Sequence, residues 1–344
     1  MKRIFGLITI FSILALPVLA VPSVDSGNAL NRPLRATDVH LVKKAPLPPV
    51  IGEIKGNPHG DLPGKDKDKN GGAEEKAATG VLGSEATGNR YAVVIGVCNY
   101  PGTNHDLCWS DGDSVNMYKA LKGYGYTDEN IYLLRDMVGL NEEPYYEPEG
   151  VITDGPATAH EIELAIRAIE GKIQEGNEVV FFFSGHGADG IAQDNDKERR
   201  DEGIVVHDGT DIVIIWDGQL KERFSNIGAT TTRIVFVFDS CLAGGMNDVA
   251  DTGRVVVMGT SENQVGYVYS RGEVGVDPGE GVFSHYFVNE GILQGLADKY
   301  YENGDHYGQV VVEEAFDYAN EIIPSIWKRQ DPTISDYFTD DLLL

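Results

Sequence analysis

From residue 91 onward the chain is a series of short apolar runs set between amphipathic stretches. Residues 91–97 (YAVVIGV), 130–135 (NIYLLR), 178–184 (EVVFFFS), 234–239 (IVFVFD) and 254–260 (RVVVMGT) are rich in β-branched and aromatic residues and do not alternate with polar ones. Such runs predict strands buried on both faces, as in a parallel sheet. The stretches between them have helical spacing. In the clearest, 158–174, Thr158 and Glu161 make a capping-box pair, and Ile162, Ala165, Ile166, Ile169 and Ile173 share one face. Residues 113–121, 219–224, 284–296 and 311–322 predict further helices. Strands alternating with helices predict an α/β fold, with helices over a mostly parallel sheet, as one domain over 89–344.

The first 88 residues lack this texture. Residues 1–20 combine a basic start (Lys2, Arg3), an apolar run and a small-residue ending (Val18, Ala20), the pattern of an export signal peptide. The run is short for a membrane span, so the expectation is a secreted or extracytoplasmic protein with no membrane association after signal removal, with an uncleaved anchor as the alternative. Residues 21–88 are rich in Pro, Gly, Lys and Asp, which argues for a disordered prosegment or linker. Within it, 66–71 (DKDKNG) matches half of a calcium loop, but Ala77 stands where a bidentate Glu is needed.

Charge changes the picture in one respect. The chain carries 28 Lys+Arg against 54 Asp+Glu, a net charge of −26, and the acidic excess lies beyond residue 89. That surface repels nucleic acid and anionic membranes and favours cations or basic peptides.

Two predicted strands end in reactive side chains. The run 178–187 delivers His186 after Ser184 and Gly185, and 234–241 delivers Cys241 after Asp239 and Ser240. In open α/β sheets ligands bind beyond the carboxyl ends of strands, so parallel neighbours would bring both residues to one edge. An imidazole beside a thiol is a base beside a nucleophile. The glycines flanking His186 allow close backbone approach, and the amides of Gly187 and Cys241 are candidate oxyanion donors. The bland alternative is an inert buried cysteine and an unrelated loop histidine. Of the other cysteines, Cys98 is a rival nucleophile that lacks the preceding Asp and the glycine-rich turn. Whether Cys98 pairs with Cys108, leaving Cys241 as the odd thiol, stays open. The remaining histidines show no zinc-ligand spacing.

The segments YAVVIGVCNY, DSVNMYKAL, FFFSGHG, FVFDSCLAGG and GVFSHYF follow the order found in caspase-like peptidases. Over about three quarters of the chain, the sequence resembles this family, and within it the metacaspases. The resemblance implies a caspase-like three-layer α/β/α sandwich and a cysteine endopeptidase. Cys241 would be the nucleophile, His186 the acid and base, and Gly187 and Cys241 the oxyanion donors. One departure bears on substrate: caspases have Gln two residues before the nucleophile, and here that residue is Asp239. By the same resemblance, Asp239 cooperates with an aspartate in a segment of the type D-A-x-N-M, which nominates Asp113, with Asp111 as substitute. Two carboxylates lining one pocket suit cleavage after Arg or Lys. The alternatives are that Asp239 binds a turn and Asp113 caps its helix.

The acidic run 193–203 offers Asp194, Asp196, Asp201 and Glu202 as oxygen ligands for an activating Ca²⁺, with a solvated loop as the alternative. No other cofactor is implied. Lys43, Lys44, Lys76, Arg90, Arg199 and Arg200 are candidate points of self-cleavage. The expected partners are protein or peptide substrates with basic residues. A non-catalytic caspase-like binding or signalling module, and another thiol hydrolase or acyltransferase, are the competing readings.

Overall fold

The computed structural model describes residues 37–46, 76–102, 106–107, 109–136, 150–192, 200–269, 280–298 and 309–344. Five parallel strands, β3 (Arg90–Gly96), β4 (Ile131–Arg135), β5 (Glu178–Ser184), β9 (Ile234–Asp239) and β10 (Arg254–Met258), form a central sheet, and β13 (Thr333–Asp336) closes one edge antiparallel to β10. The order across it is β13-β10-β9-β5-β3-β4.

Continuous apolar runs arise because both faces of this sheet are covered. Val94, Phe182, Val237 and Val257 face one side, against α1 (Ser110–Gly123), α6 (Val312–Ile326) and a π-helical turn, His285–Leu293. Val93, Ile95, Phe181, Phe183, Phe236 and Phe238 face the other, against α2 (Ala159–Glu170), α3 (Asp217–Arg223) and α4 (Ser225–Thr230). The result is a three-layer α/β/α sandwich. Thr158 caps α2 by accepting the Glu161 amide. The helix ends at Glu170, so Ile173 is half-buried beyond it rather than on its face.

Two smaller sheets lie at the carboxyl edge. In the first, β1 (Thr37–Val42), β6 (Gly187–Ile191), β7 (Asp201–His207) and β8 (Ile212–Trp216) pair antiparallel in that order. In the second, β11 (Tyr267–Tyr269) lies between β12 (Glu280–Gly281) and β2 (Ala45–Pro46). Residues 37–46, inside the Pro- and Lys-rich stretch, thus contribute strands to both. The helix expected over 284–296 is instead a short α5 (Val282–Ser284) running into the π-helical turn. Among the described residues, no helix is long and apolar enough to cross a membrane.

Candidate active site

Strands β5 and β9 are neighbours, with Ser184 opposite Asp239. The chain leaves β5 through Gly185 to His186 and leaves β9 through Ser240 to Cys241, and the Gly185 amide donates to the Asp239 carbonyl at 3.2 Å. His186 and Cys241 are both buried, 2% and 1% exposed. Tyr100, just after β3, stacks on the imidazole with ring centroids 4.9 Å apart. Its hydroxyl accepts the His186 amide at 2.9 Å and donates to the Val205 carbonyl at 3.0 Å, so ring and backbone of His186 are both held. Gly187 is required by the backbone of Cys241: a β-carbon there would overlap the Cys241 carbonyl oxygen. The close approach expected toward a substrate is thus made first to the turn that carries Cys241.

Cys241 is a free thiol whose Sγ accepts the Gly266 amide at 3.2 Å. Burial pushes it up to about 11, although that hydrogen bond and the positive charge of Lys44 act in the opposite sense. The thiol is therefore protonated at neutral pH in this state.

Asp113 and Asp239 converge beside it. Both are fully buried. Asp113 comes from the first turn of α1, which starts at Ser110, three residues before the helix expected from the sequence. Its carboxylate accepts from Ser184 Oγ at 2.7 Å and from the Gly281 amide at 3.0 Å. Asp239 accepts from Ser284 through its amide at 3.1 Å and its hydroxyl at 2.6 Å. Burial pushes the Asp113 carboxyl up to about 8, opposed by Lys44 and reinforced by the Asp239 charge. Gly281 forms one wall, where a β-carbon would overlap Asp239 and reach 3.0 Å from Lys44 Nζ.

The chain itself fills this acidic pocket. Lys44, with no side-chain exposure, places Nζ 2.6 Å from Asp239 Oδ1 and donates to Ser184 Oγ at 3.2 Å. Its amide donates to His186 Nδ1 at 3.2 Å, and the Ala45 amide donates to the Gly266 carbonyl at 3.0 Å. An imidazole nitrogen that accepts an amide N–H carries no proton, so in this state a neutral His186 holds its proton on Nε2.

Residues 90–250 match the family model of the metacaspase, peptidase C14 domain. This span is therefore similar to a caspase-like C14 domain. The family is one of cysteine-type peptidases, and the match includes His186, Cys241, Asp113 and Asp239. A relative, Metacaspase-1 of Mycosarcoma maydis, is 27% identical over 214 residues, which cover 59% of this chain and 50% of that protein. The chain thus matches about half of the relative's length. Lys44 and the wall residues Gly281 and Ser284 lie outside the span matched by the family model.

Other nominated residues are placed differently. Asp111, the substitute for Asp113, is spent on a fully buried ion pair with Arg135 at 3.0 Å. Asp194 and Asp196 lie outside the described residues. Asp201 accepts the Ala192 amide at 2.7 Å within the hairpin, and Glu202 follows it along the same strand. Among the described residues, no three His, Cys, Asp or Glu side chains gather in a way that could hold a metal ion. Cys98 is disulfide-bonded, which removes it as a rival nucleophile, and Cys108 lies outside the described residues. Arg90 sits in the central sheet and donates to the Tyr124 carbonyl, and Arg200 binds Asp38 and Asp189. The residues that sequence reasoning missed are Tyr100, Ser184, Gly281 and Ser284, together with Lys44 as pocket ligand. All but Lys44 lie within or at the edges of segments that carry the resemblance; the sequence marks Lys44 only as a candidate cleavage point.

Proposed function

We propose that this protein is an exported cysteine endopeptidase that cuts peptide bonds after Lys or Arg. Cys241 is its nucleophile and His186 its acid and base. The observation that carries the specificity is the Lys44 ammonium set between Asp239 and Ser184, with Asp113 behind them, in an enclosed cluster whose Lys44 and Asp239 charges act on the Cys241 thiol. An ammonium fully removed from water is tolerated only where a carboxylate compensates it, so this pocket selects a basic side chain. A substrate seated there would present its carbonyl to Cys241. Its oxyanion would meet the amides of Gly187 and Cys241, and its leaving nitrogen would take a proton from His186. Self-processing at basic residues of the first 88 positions belongs to this reading, with Lys43 and Lys76 as exposed candidates. Activation by Ca²⁺ is part of the proposal only as far as the acidic run 193–203 is concerned.

Matched fluorogenic peptides with Lys, Arg or Asp before the reporter test the reading, run with and without Ca²⁺ and beside Cys241→Ala. Hydrolysis after Lys or Arg by the parent protein, absent in Cys241→Ala, is expected. Cleavage after Asp, or equal rates in the two proteins, would remove the assignment.

A further inference from the structure

Lys44 occupies the pocket as a substrate's basic residue would, yet its main chain runs the wrong way for cleavage. This inference rests on the endopeptidase reading above. Cleavage after Lys44 requires Cys241 Sγ to bond to the Lys44 carbonyl carbon while the Lys44–Ala45 bond breaks. The Ala45 nitrogen must then leave with a proton from His186. The nitrogen that meets His186, however, is Lys44's own, 3.2 Å from Nδ1, which belongs to the preceding peptide bond. The Ala45 nitrogen is engaged elsewhere, on the Gly266 carbonyl at 3.0 Å.

The strand pairings give the same direction over a longer span. Upstream of Lys44, the segment lies along β6, which leads away from His186, with Val42 opposite Gly187 and Leu41 opposite Ala188. Downstream, Ala45 and Pro46 run parallel to Tyr267 and Val268 of β11. The chain therefore arrives on the histidine side and departs along β11. A chain with its basic residue in the same pocket and its downstream amide at His186 must do the reverse.

We infer that residues 37–46 are held in the cleft with polarity opposite to that of a substrate, as a resident ligand that seals Cys241 and is not cut at Lys44 while in place. Substrates then lay their upstream residues antiparallel to Tyr267–Tyr269 and their downstream residues along Gly187–Ile191. Both surfaces are covered by the segment in this state, so substrate and segment exclude one another.

The test uses the full chain and three readouts: fragment masses on standing, iodoacetamide alkylation of Cys241, and hydrolysis of a Lys reporter peptide. Lys44→Ala is expected to speed alkylation and hydrolysis by about 10-fold or more as the thiol becomes accessible. No fragment starting at Ala45 should form within a molecule. A cut after Lys44 whose rate per molecule is unchanged on dilution would overturn the assignment, as would an alkylation rate insensitive to Lys44→Ala. A cut that slows on dilution is intermolecular and supports the resident polarity. Faster alkylation with no hydrolysis of any peptide would keep the sealing ligand and remove the endopeptidase reading, so the two fail separately.

Discussion

Cys241 illustrates how a single environment sets reactivity. In the sealed state burial holds its thiol near 11 despite the Gly266 amide and the Lys44 charge. Alkylation of the intact chain should therefore climb with pH toward a midpoint near 11, whereas an ordinary thiol turns over near about 8.5; a midpoint at the ordinary value would contradict the burial. The two pocket aspartates should also differ. Asp113 is pushed up to about 8, and it is Asp239 whose Oδ1 lies 2.6 Å from Lys44 Nζ. Asp239→Asn strands a buried ammonium and should lower stability by roughly 3 kcal/mol, read as a urea midpoint, while Asp113→Asn should cost about 1 kcal/mol or less. At this scale much of the site was legible: His186, Cys241, Asp113 and Asp239 stand out as reactive or charged residues beside apolar runs. Tyr100 and Ser284 did not, because a tyrosine after a strand and a serine in a helix have many ordinary uses. Their roles come from partners 86 and 45 positions away.

The element that shapes the pocket wall is the stretch from β12 through α5 into the π-helical turn. Its Gly281 amide holds Asp113 and its Ser284 holds Asp239. Behind them His285 lies between two carboxylates, with Nδ1 2.6 Å from Glu280 and Nε2 3.4 Å from Glu290. Glu280 also accepts from Asn116 of α1 and from Asn289, each at 2.7 Å, which ties the wall to the helix bearing Asp113. Burial alone would lower the His285 pKa, but the hydrogen bonds and charges of Glu280 and Glu290 raise it from 6.5 to about 9. A raised histidine stabilises the fold fully below 6.5 and loses that contribution as pH rises through 9. His285→Gln should thus cost about 1.5–3 kcal/mol at pH 6. The gap in melting temperature from the parent should narrow toward pH 9, and a gap independent of pH would speak against the charged network. The central strands were readable because burial on two faces leaves an unmixed apolar run. This wall was not, since the same residues read equally well as an ordinary helix.

Across the whole molecule, the least expected arrangement is that residues 37–46 belong to two sheets of the domain they precede. Composition gives no hint of it: a strand added to an existing edge gains main-chain hydrogen bonds without an apolar face of its own. Two contacts hold the segment in different ways. Arg200 pairs with Asp38 at 2.7 Å and Asp189 at 2.6 Å near the surface, whereas Lys44 and Asp239 are wholly enclosed. Salt should screen the first and leave the second, so Arg200→Ala is expected to change stability by less than about 1 kcal/mol. Sealing of Cys241, read by alkylation in 1 M NaCl (about a 3 Å screening length), should persist, and rapid alkylation there would show that surface charge does the holding.

The Cys98 disulfide gives the molecule a second thiol chemistry, set two residues before the tyrosine that supports His186. Reductant keeps the Cys241 thiol from oxidising, but the same reagent opens that bridge and loosens the backbone that carries Tyr100. Activity titrated against dithiothreitol is therefore expected to pass through a maximum and then fall, instead of reaching a plateau.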